Sequence, residues 1–284
     1  MNSQRLAVFL SKVQGHGQFR IRFPSMLFLC GKNGRTARSA VINHITSENL
    51  NILPIIADDI WNSRLAHLHI NALEMETTIA RLSDCLLLFA ESPGSWAELG
   101  AFSAIQSLSG KVVAPSDIKY ILDESFINSG PMLWLSSTST NGGLHPRFSR
   151  EADFTDCSCV IDAVEDLLGH LDSISREHII SGEFNNPDDI KFLFVGMIIV
   201  IYIFAPLPLK DLHFVMKSWN NDVAIKRKLS DLVDLAKGMG IVNLGPDDKN
   251  LTVNDSILGT LLQGVGGFGD LEELRLSVTG ASAR

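Results

Sequence analysis

A glutamate near the start of a predicted helix occupies a position suited to catalysis. Glu98 follows residues 91–94, a Glu-Ser-Pro-Gly segment that ends the apolar run 85–90. A carboxylate above the end of a buried strand could face C1′ of a ribose. There it would stabilise or attack the oxocarbenium-like centre that forms when an N-glycosidic bond breaks. We expect the positive end of the helix dipole to help keep Glu98 ionised.

The same glutamate also has a purely structural interpretation. Ser95 and Glu98 have the spacing of a capping box, in which the glutamate side chain bonds the backbone amide of the serine at the start of a helix. On spacing alone the capping box is the favoured interpretation. The residues that accompany Glu98 must therefore decide between a cap and a catalytic group.

Two further groups of residues could contact a nucleotide. Asp58 follows the second predicted strand, where it could hold a ribose hydroxyl or the base, or cap the next helix. Gly31 and Gly34 lie in the turn after the first strand and would let the backbone approach a phosphate or sugar. They do not form a GxGxxG motif and also suit a structural turn. Lys32 and Arg35 in this turn could pair with phosphate.

Apolar runs that alternate with helical patterns predict a parallel sheet. The runs are residues 26–30, 51–57, 85–90 and 111–114, and residues 132–135 could form a fifth strand. Strands and helices that alternate at this pace form βαβ units with right-handed crossovers, which gives a doubly wound, mostly parallel α/β sheet. Ligands of such sheets bind beyond the carboxyl ends of the strands, so the candidate residues would share one rim.

The second half of the chain is predicted to be mostly helical. Its apolar run 192–205 is shorter than the about 20 residues that a membrane helix needs, so we expect a buried helix and no membrane segment. A short helix near residue 208 and a longer one at 222–237 precede two short strands, 241–244 and 251–253. Helix, helix and hairpin in this order suggest a winged helix.

Composition limits the classes of protein that fit. A chain of 284 residues is long for one core, so we expect two domains, 1–150 and 151–284, divided near a loop rich in Ser, Thr, Asn and Gly. The helix around Asp162 could belong to either side. The net charge of -8 argues against a protein that coats nucleic acid.

The cysteines lack disulfide spacing and no signal pattern precedes them, which indicates the cytoplasm. Cys157 and Cys159 have no second ligand pair, so no metal is expected.

Three segments together resemble the effector proteins of bacterial retrons. They are residues 26–31, 86–103 and 125–131, and the middle segment is the most specific. The subgroup resembled has a nucleoside deoxyribosyltransferase-like N-terminal domain and a C-terminal winged-helix-like domain. In the wider superfamily the glutamate of a Gly-Ser/Thr-x-x-Glu-Leu-Gly block is the nucleophile. Glu98 is the residue that matches this glutamate.

The resemblance also implies an activity and a biological setting. It implies an N-glycosidase that cleaves NAD or a related nucleotide and acts as the toxin effector of an anti-phage defence system. Its partners would be the retron reverse transcriptase and the branched RNA–DNA product, msDNA, which restrain it. NAD would be the substrate, and no cofactor is implied. A homodimer or higher assembly is implied too, because the transferases take an asparagine from a neighbouring subunit.

The resemblance assigns roles to residues around Glu98. Glu91 stands where the transferases often have an aspartate, and Asn128 is a loose match to their asparagine. Glu91, Asp58 and Asn128 would therefore orient the sugar. Further candidates for substrate binding are Gly31, Gly34 and Ser95.

A second function remains open at the level of sequence. The alternative is a non-catalytic nucleotide sensor whose winged helix passes the signal to DNA or to another protein. Acidic residues dilute the positive charge of helix 222–237, which favours docking on a protein or nucleoprotein over sequence-specific DNA reading.

Overall fold

The structure is a computed structural model with twelve α-helices and twelve strands in its described part. That part comprises residues 3–15, 20–32, 36–62, 71–137, 151–177, 179–181, 190–219, 225–245, 249–254, 263–264 and 271–280. The helices are α1 (Ser3–Gly15), α2 (Thr36–Ser47), α3 (Ala57–Asn62), α4 (Ala72–Leu82), α5 (Pro93–Ala104), α6 (Gln106–Ser109), α7 (Leu133–Ser137), α8 (Cys157–Glu177), α9 (Ile190–Phe204), α10 (Leu209–Trp219), α11 (Ile225–Gly238) and α12 (Leu271–Thr279). The strands are β1 (Arg20–Arg22), β2 (Ser25–Cys30), β3 (Ile52–Ile55), β4 (Cys85–Leu88), β5 (Val112–Val113), β6 (Ser116–Asp117), β7 (Glu151–Ala152), β8 (Ile179–Ser181), β9 (Leu207–Pro208), β10 (Val242–Leu244), β11 (Asn250–Val253) and β12 (Gln263–Gly264).

A four-stranded parallel sheet forms the centre of the N-terminal part and confirms the predicted α/β fold. Its strand order is β3-β2-β4-β5, and each neighbouring pair is parallel. Every residue of β2 and β4 is buried, as expected of strands that are covered on both faces. The chain passes from β2 to β3 on one side and then to β4 on the other. The carboxyl ends of β2 and β4 therefore flank the switch point where such sheets bind ligands.

The segment that was expected to supply a fifth strand is helical instead. Residues Asn128–Met132 form a π-helical turn that continues into α7. Leu135 is buried, whereas Leu133 and Trp134 are exposed, so the apolar side chains here do not all face a core. A run of four apolar residues is too short to distinguish a strand from a helix, and the prediction of a strand at 132–135 was wrong.

The chain divides into two compact units whose bounds differ from the predicted division after residue 150. One unit consists of Pro24–Asp58 and Leu68–Arg176, and the other of Met1–Phe23, Asp59–His67 and Glu177–Arg284. Helix α8 belongs with the parallel sheet because one face of it completes the core of that unit. The Ser25 hydroxyl also donates a hydrogen bond to the carbonyl of Leu171 in α8, at 2.7 Å. The core residues that α8 contributes are Val160, Ala163, Val164, Leu167, Leu168 and Leu171.

A buried helix organises the other unit. Eleven of the fifteen residues of α9 are buried, which confirms the prediction for the apolar run, and α9 packs against α10, α11, α12 and β11. None of the helices in the described part of the chain is long and apolar enough to cross a membrane. Strands β10 and β11 pair antiparallel with Val242 opposite Val253, which confirms the hairpin, and β9 adds a third strand.

Truncation of a side chain in α9 should measurably destabilise the protein. Ile198 is completely buried, so Ile198→Ala should lower the free energy of unfolding by about 2–5 kcal/mol through lost burial and the remaining cavity. Leu244 is 44% exposed, and Leu244→Ala should change it by less than about 0.5 kcal/mol. Urea denaturation followed by circular dichroism measures both values. Equal losses in the two variants would contradict the central role of α9.

Candidate functional site

The N-terminus of α5 is capped by two serines and not by Glu98. Ser92 is the N-cap residue, and its hydroxyl accepts a hydrogen bond from the Ser95 amide at 3.2 Å. The Ser95 hydroxyl in turn accepts one from the Ser92 amide at 2.9 Å. Pro93 fits the first turn because its missing N–H would have had no partner there. The alternative in which Ser95 and Glu98 form the capping box is therefore wrong, and the Glu98 carboxyl group is left for another role.

Glu98 lies in the second turn of α5 and is partly buried. Its Oε2 atom is buried and has no hydrogen-bond partner in the described structure. Burial raises the pKa of Glu98 and the nearby charge of Asp58 adds to this, whereas a hydrogen bond from the Cys30 thiol and the charge of Arg38 oppose it. The net direction is upward because desolvation is the largest cause, and the help expected from the helix dipole fades beyond the first turn.

Cys30 connects the nucleophile candidate to the sheet. It is the last residue of β2, is buried, and forms no disulfide. Its carbonyl accepts a hydrogen bond from the Phe89 amide at 3.0 Å, which ties the end of β2 to the chain leaving β4. The thiol of Cys30 hydrogen-bonds to the Glu98 carboxyl group. The switch point of the sheet thus holds a weak hydrogen-bond donor against Glu98.

Asp58 is held by an arginine that the sequence did not single out. Arg38 in α2 is only 6% exposed. Its Nη1 and Nη2 atoms donate to Oδ2 of Asp58 at 3.2 and 3.3 Å, and Nη1 also reaches the Gly31 carbonyl at 3.3 Å. Asp58 lies inside α3, and its carboxylate accepts hydrogen bonds from Arg38. These contacts do not support the alternative in which Asp58 caps the next helix. Nothing in the described structure bonds Oδ1 of Asp58, so this oxygen can accept a ligand hydroxyl.

A third carboxyl group completes the cluster, and sequence reasoning missed it. Glu76 in α4 is partly buried, and burial together with the charges of Glu98 and Asp58 raises its pKa to about 7. A group with this pKa gains and loses a proton at neutral pH, as a general acid or base must. One feature of the sequence could have identified Glu76. It lies beside the buried face of an amphipathic helix, and this face contains Met75 and Ile79.

Glu91 and Gly31 shape the rim of the sheet. The Glu91 Oε1 atom accepts a hydrogen bond from the Lys32 amide at 3.2 Å. Gly31 has φ +153°, and a Cβ atom there would lie 3.4 Å from both Glu91 Oε1 and Phe89 Cβ. Glycine is therefore suited to this turn both by conformation and by the close approach of the strand ends. Glu91 contacts the turn, and its predicted role in orienting a sugar stays a prediction.

The remaining predicted site residues are not brought to Glu98 by any described contact. Ser95 is buried, and its hydroxyl is engaged by Glu91 and Ser92, which suits helix capping more than substrate binding. Asn128 lines a separate cavity with Ala90 and Trp96. Gly34 and Arg35 lie outside the described residues. Cys157 and Cys159 are exposed free thiols, and the described residues contain no cluster of three or more side chains that could hold a metal ion.

Comparison with known proteins shows the family to which this chain belongs. A family model described as "STM3845 retron effector protein" matches residues 34–244, which include α2, α4 and α5. A relative from Escherichia coli, named "Retron Ec73 putative ribosyltransferase/DNA-binding protein", is 25% identical over 251 residues, covering 80% of this chain and 77% of the relative. The Escherichia coli protein of retron Ec86, whose name has the same wording, is 29% identical over 171 residues, covering 56% of this chain and 54% of the relative. Because the family model matches well over half of the chain, the protein belongs to the STM3845 family of retron effector proteins.

Proposed function

We propose that this retron effector cleaves the N-glycosidic bond of NAD or a related nucleotide, with Glu98 as the group that meets C1′ of the ribose. The observation that carries the proposal is the buried, unpartnered Oε2 atom of Glu98 beside the switch point of the parallel sheet. A buried carboxylate oxygen without a partner is costly, and in a ligand site the cost is offset when a positively charged centre arrives. The word ribosyltransferase in the names of both relatives supports glycosyl transfer.

The proposed reaction begins with departure of the base. The bond between C1′ and the base nitrogen breaks, and its electron pair remains on that nitrogen. Glu98 then stabilises the positive charge at C1′ or forms an ester with it. Water adds to C1′ in the second stage, restores the free carboxylate and loses a proton. The products are the free base and the sugar with a hydroxyl group at C1′.

Glu76 is suited to the proton transfers in this reaction. A nicotinamide that leaves from the pyridinium form becomes neutral without a proton, so Glu76 would then act as the base that deprotonates water. A purine or pyrimidine leaves more readily when protonated, and Glu76 would then act first as an acid. Both roles require a carboxyl group that titrates near neutral pH, as Glu76 does.

Asp58 and Arg38 would position the sugar. Arg38 binds Oδ2 of Asp58 through two nitrogen atoms, which holds this oxygen at the start of α3. The other oxygen can accept a hydrogen bond from a ribose hydroxyl. Because Arg38 is buried and also reaches the Gly31 carbonyl, it joins Asp58 to the turn after β2. The two residues would therefore hold the ribose relative to Glu98.

We also propose that the retron reverse transcriptase and its msDNA restrain this activity. Membership of the family supports association with retron components, and both relatives have DNA-binding in their names. The helices α10 and α11 followed by the β10–β11 hairpin have the element order of a winged helix and are the candidate docking part. The proposal also retains three expectations from the sequence. They are a nucleoside deoxyribosyltransferase-like domain, a winged-helix-like domain, and a homodimer or higher assembly.

Base release is the experiment that tests the proposed function. The purified protein is incubated with NAD and a panel of nucleosides and nucleotides, alone and with reverse transcriptase and msDNA, and free base is followed by chromatography. Release of base by the protein alone and its suppression by the partners are expected. Binding of nucleotide without release under any condition would favour the second candidate, a non-catalytic sensor that the DNA-binding wording of the relatives' names supports.

Cys30 should tune the pH dependence of this activity. The hydrogen bond from its thiol lowers the pKa of Glu98, so Cys30→Ala should raise that pKa and move the acid limb of the rate profile to higher pH. We expect the loss of base release to be largest on the acid side of the profile, at about threefold to tenfold, and smaller near pH 8. Cys30→Ser keeps a donor and should retain the profile of the wild type. A uniform loss at all pH values in both variants would indicate a packing defect instead.

A further inference from the structure

A cavity of about 270 Å³ lies beyond the carboxyl ends of β4 and β5. Ala90 follows β4 and Pro115 follows β5, and both line the cavity, so it opens on the rim of the sheet that also carries Glu98. Small-molecule sites typically enclose about 300–1,000 Å³. This cavity therefore fits one ring system and not a whole dinucleotide.

The walls of the cavity are largely apolar and include two aromatic side chains. Trp96 and Tyr120 both line it, and they are 43% and 54% exposed. The Trp96 Nε1 atom donates a hydrogen bond to the Ala90 carbonyl at 2.9 Å, which fixes the orientation of the indole. Partly exposed aromatic rings at the edge of a cavity offer π faces on which another planar ring can stack.

The polar side chains that line the cavity are three hydroxyl groups, one amide and two acidic groups, and none of them is basic in the described lining. Asn128 donates both amide hydrogens of Nδ2, to the carbonyls of Tyr120 and Asp123 at 2.7 and 2.9 Å, so its Oδ1 atom remains as an acceptor. The acidic residues Asp117 and Asp123 are also among the residues that line the cavity, whereas its described lining contains no Lys, Arg or His. The resulting field is negative, so a phosphate or carboxylate is repelled and a cation or an N–H group is attracted.

We infer that this cavity binds a planar nitrogen heterocycle that carries no negative charge and donates hydrogen bonds from its edge, such as a carboxamide-bearing pyridinium ring. The aromatic walls supply stacking, the carboxylates supply attraction for a cation, and the Asn128 oxygen accepts a hydrogen bond from the amide. The cavity would hold the base that leaves during catalysis, and this role rests on the proposed function. The binding itself can be measured without turnover.

The test uses two rings that differ in charge and donors. The full-length protein is titrated by calorimetry with 1-methylnicotinamide, a cation with an amide, and with nicotinate, an anion without one; neither contains a glycosidic bond. We expect 1-methylnicotinamide to bind at least about tenfold more tightly. Replacement of both Asp117 and Asp123 by Asn keeps the side-chain shape and should reduce this preference by about tenfold. Glu165→Gln, which removes an exposed charge from α8 outside the cavity lining, should leave it unchanged.

The outcomes separate this inference from the proposed function. Nicotinate binding as tightly as 1-methylnicotinamide, no binding of either ring, or equal effects of the double Asn variant and Glu165→Gln would overturn the inference. If the preference is found but no base is released from any nucleotide, the cavity assignment stands and the proposed activity fails. If base is released but the ring preference is absent, the proposed activity stands and the cavity assignment fails.

Discussion

Replacement of Glu98 by glutamine is expected to lower the rate of base release by about 1,000-fold or more. Glutamine keeps the shape of the side chain but can neither attack C1′ nor place a full negative charge beside it. The Oε2 atom of Glu98 is buried, so water cannot take over the role of the lost charge at that position. The measurement is chromatographic base release from NAD, or from whichever substrate the wild type cleaves, under single-turnover conditions.

Nucleotide binding distinguishes a chemical defect from a folding defect in this variant. Because glutamine removes a partly desolvated charge, Glu98→Gln should fold normally and retain binding within a few fold of the wild type. Glu165→Gln on α8 is the matched control, since it makes the same substitution at an exposed position and should retain full activity. Normal base release by Glu98→Gln would remove Glu98 from the mechanism. Unchanged signalling to a partner without turnover would support a nucleotide sensor.

The sheet and Glu98 could be predicted because their signals are local in the sequence. Strands β2 and β4 are apolar at nearly every position, and a strand that is buried on both faces must have this pattern. Glu98 follows directly after β4 and its turn, so its place on the rim follows from the order of elements. The cap could not be identified from the spacing of Ser95 and Glu98 alone, because Ser92 and Ser95 have the same spacing and form the capping box three residues earlier.

The partners of Glu98 could not be predicted because they come from other elements. Arg38 lies in α2 and Glu76 in α4, and nothing in their local sequence states that both approach one carboxylate. Their importance depends on burial and on like charges brought together by the crossovers, which only the folded chain provides. The side to which helix α8 belongs was left open for a related reason. The loop composition before it marks the end of an element but does not tell which core the next helix completes.

Replacement of Glu76 by glutamine should lower base release by about 100-fold, the lower end of the range for loss of a general acid or base. If Glu76 deprotonates water, the wild-type rate should rise with pH through about 7, the pKa that burial and the charges of Glu98 and Asp58 give this group. Glu76→Gln should lack this limb while it keeps substrate binding. A pH–rate profile of both proteins is the measurement, and Glu74→Gln, an exposed glutamate on the same helix, is the matched control.

The stability of the Glu76 variant should change in the opposite direction from its activity. The pKa of Glu76 is raised in the folded protein, so the folded state binds this proton more tightly than the unfolded chain. The resulting stabilisation is fully present below the unfolded pKa of about 4.3 and is lost as the pH rises through about 7. Glutamine cannot ionise, so Glu76→Gln should melt at a higher temperature than the wild type near pH 8, and the difference should shrink towards pH 4. A residue that only supports the fold would lose stability on replacement, so a variant that is less stable at pH 8 would argue against a catalytic Glu76.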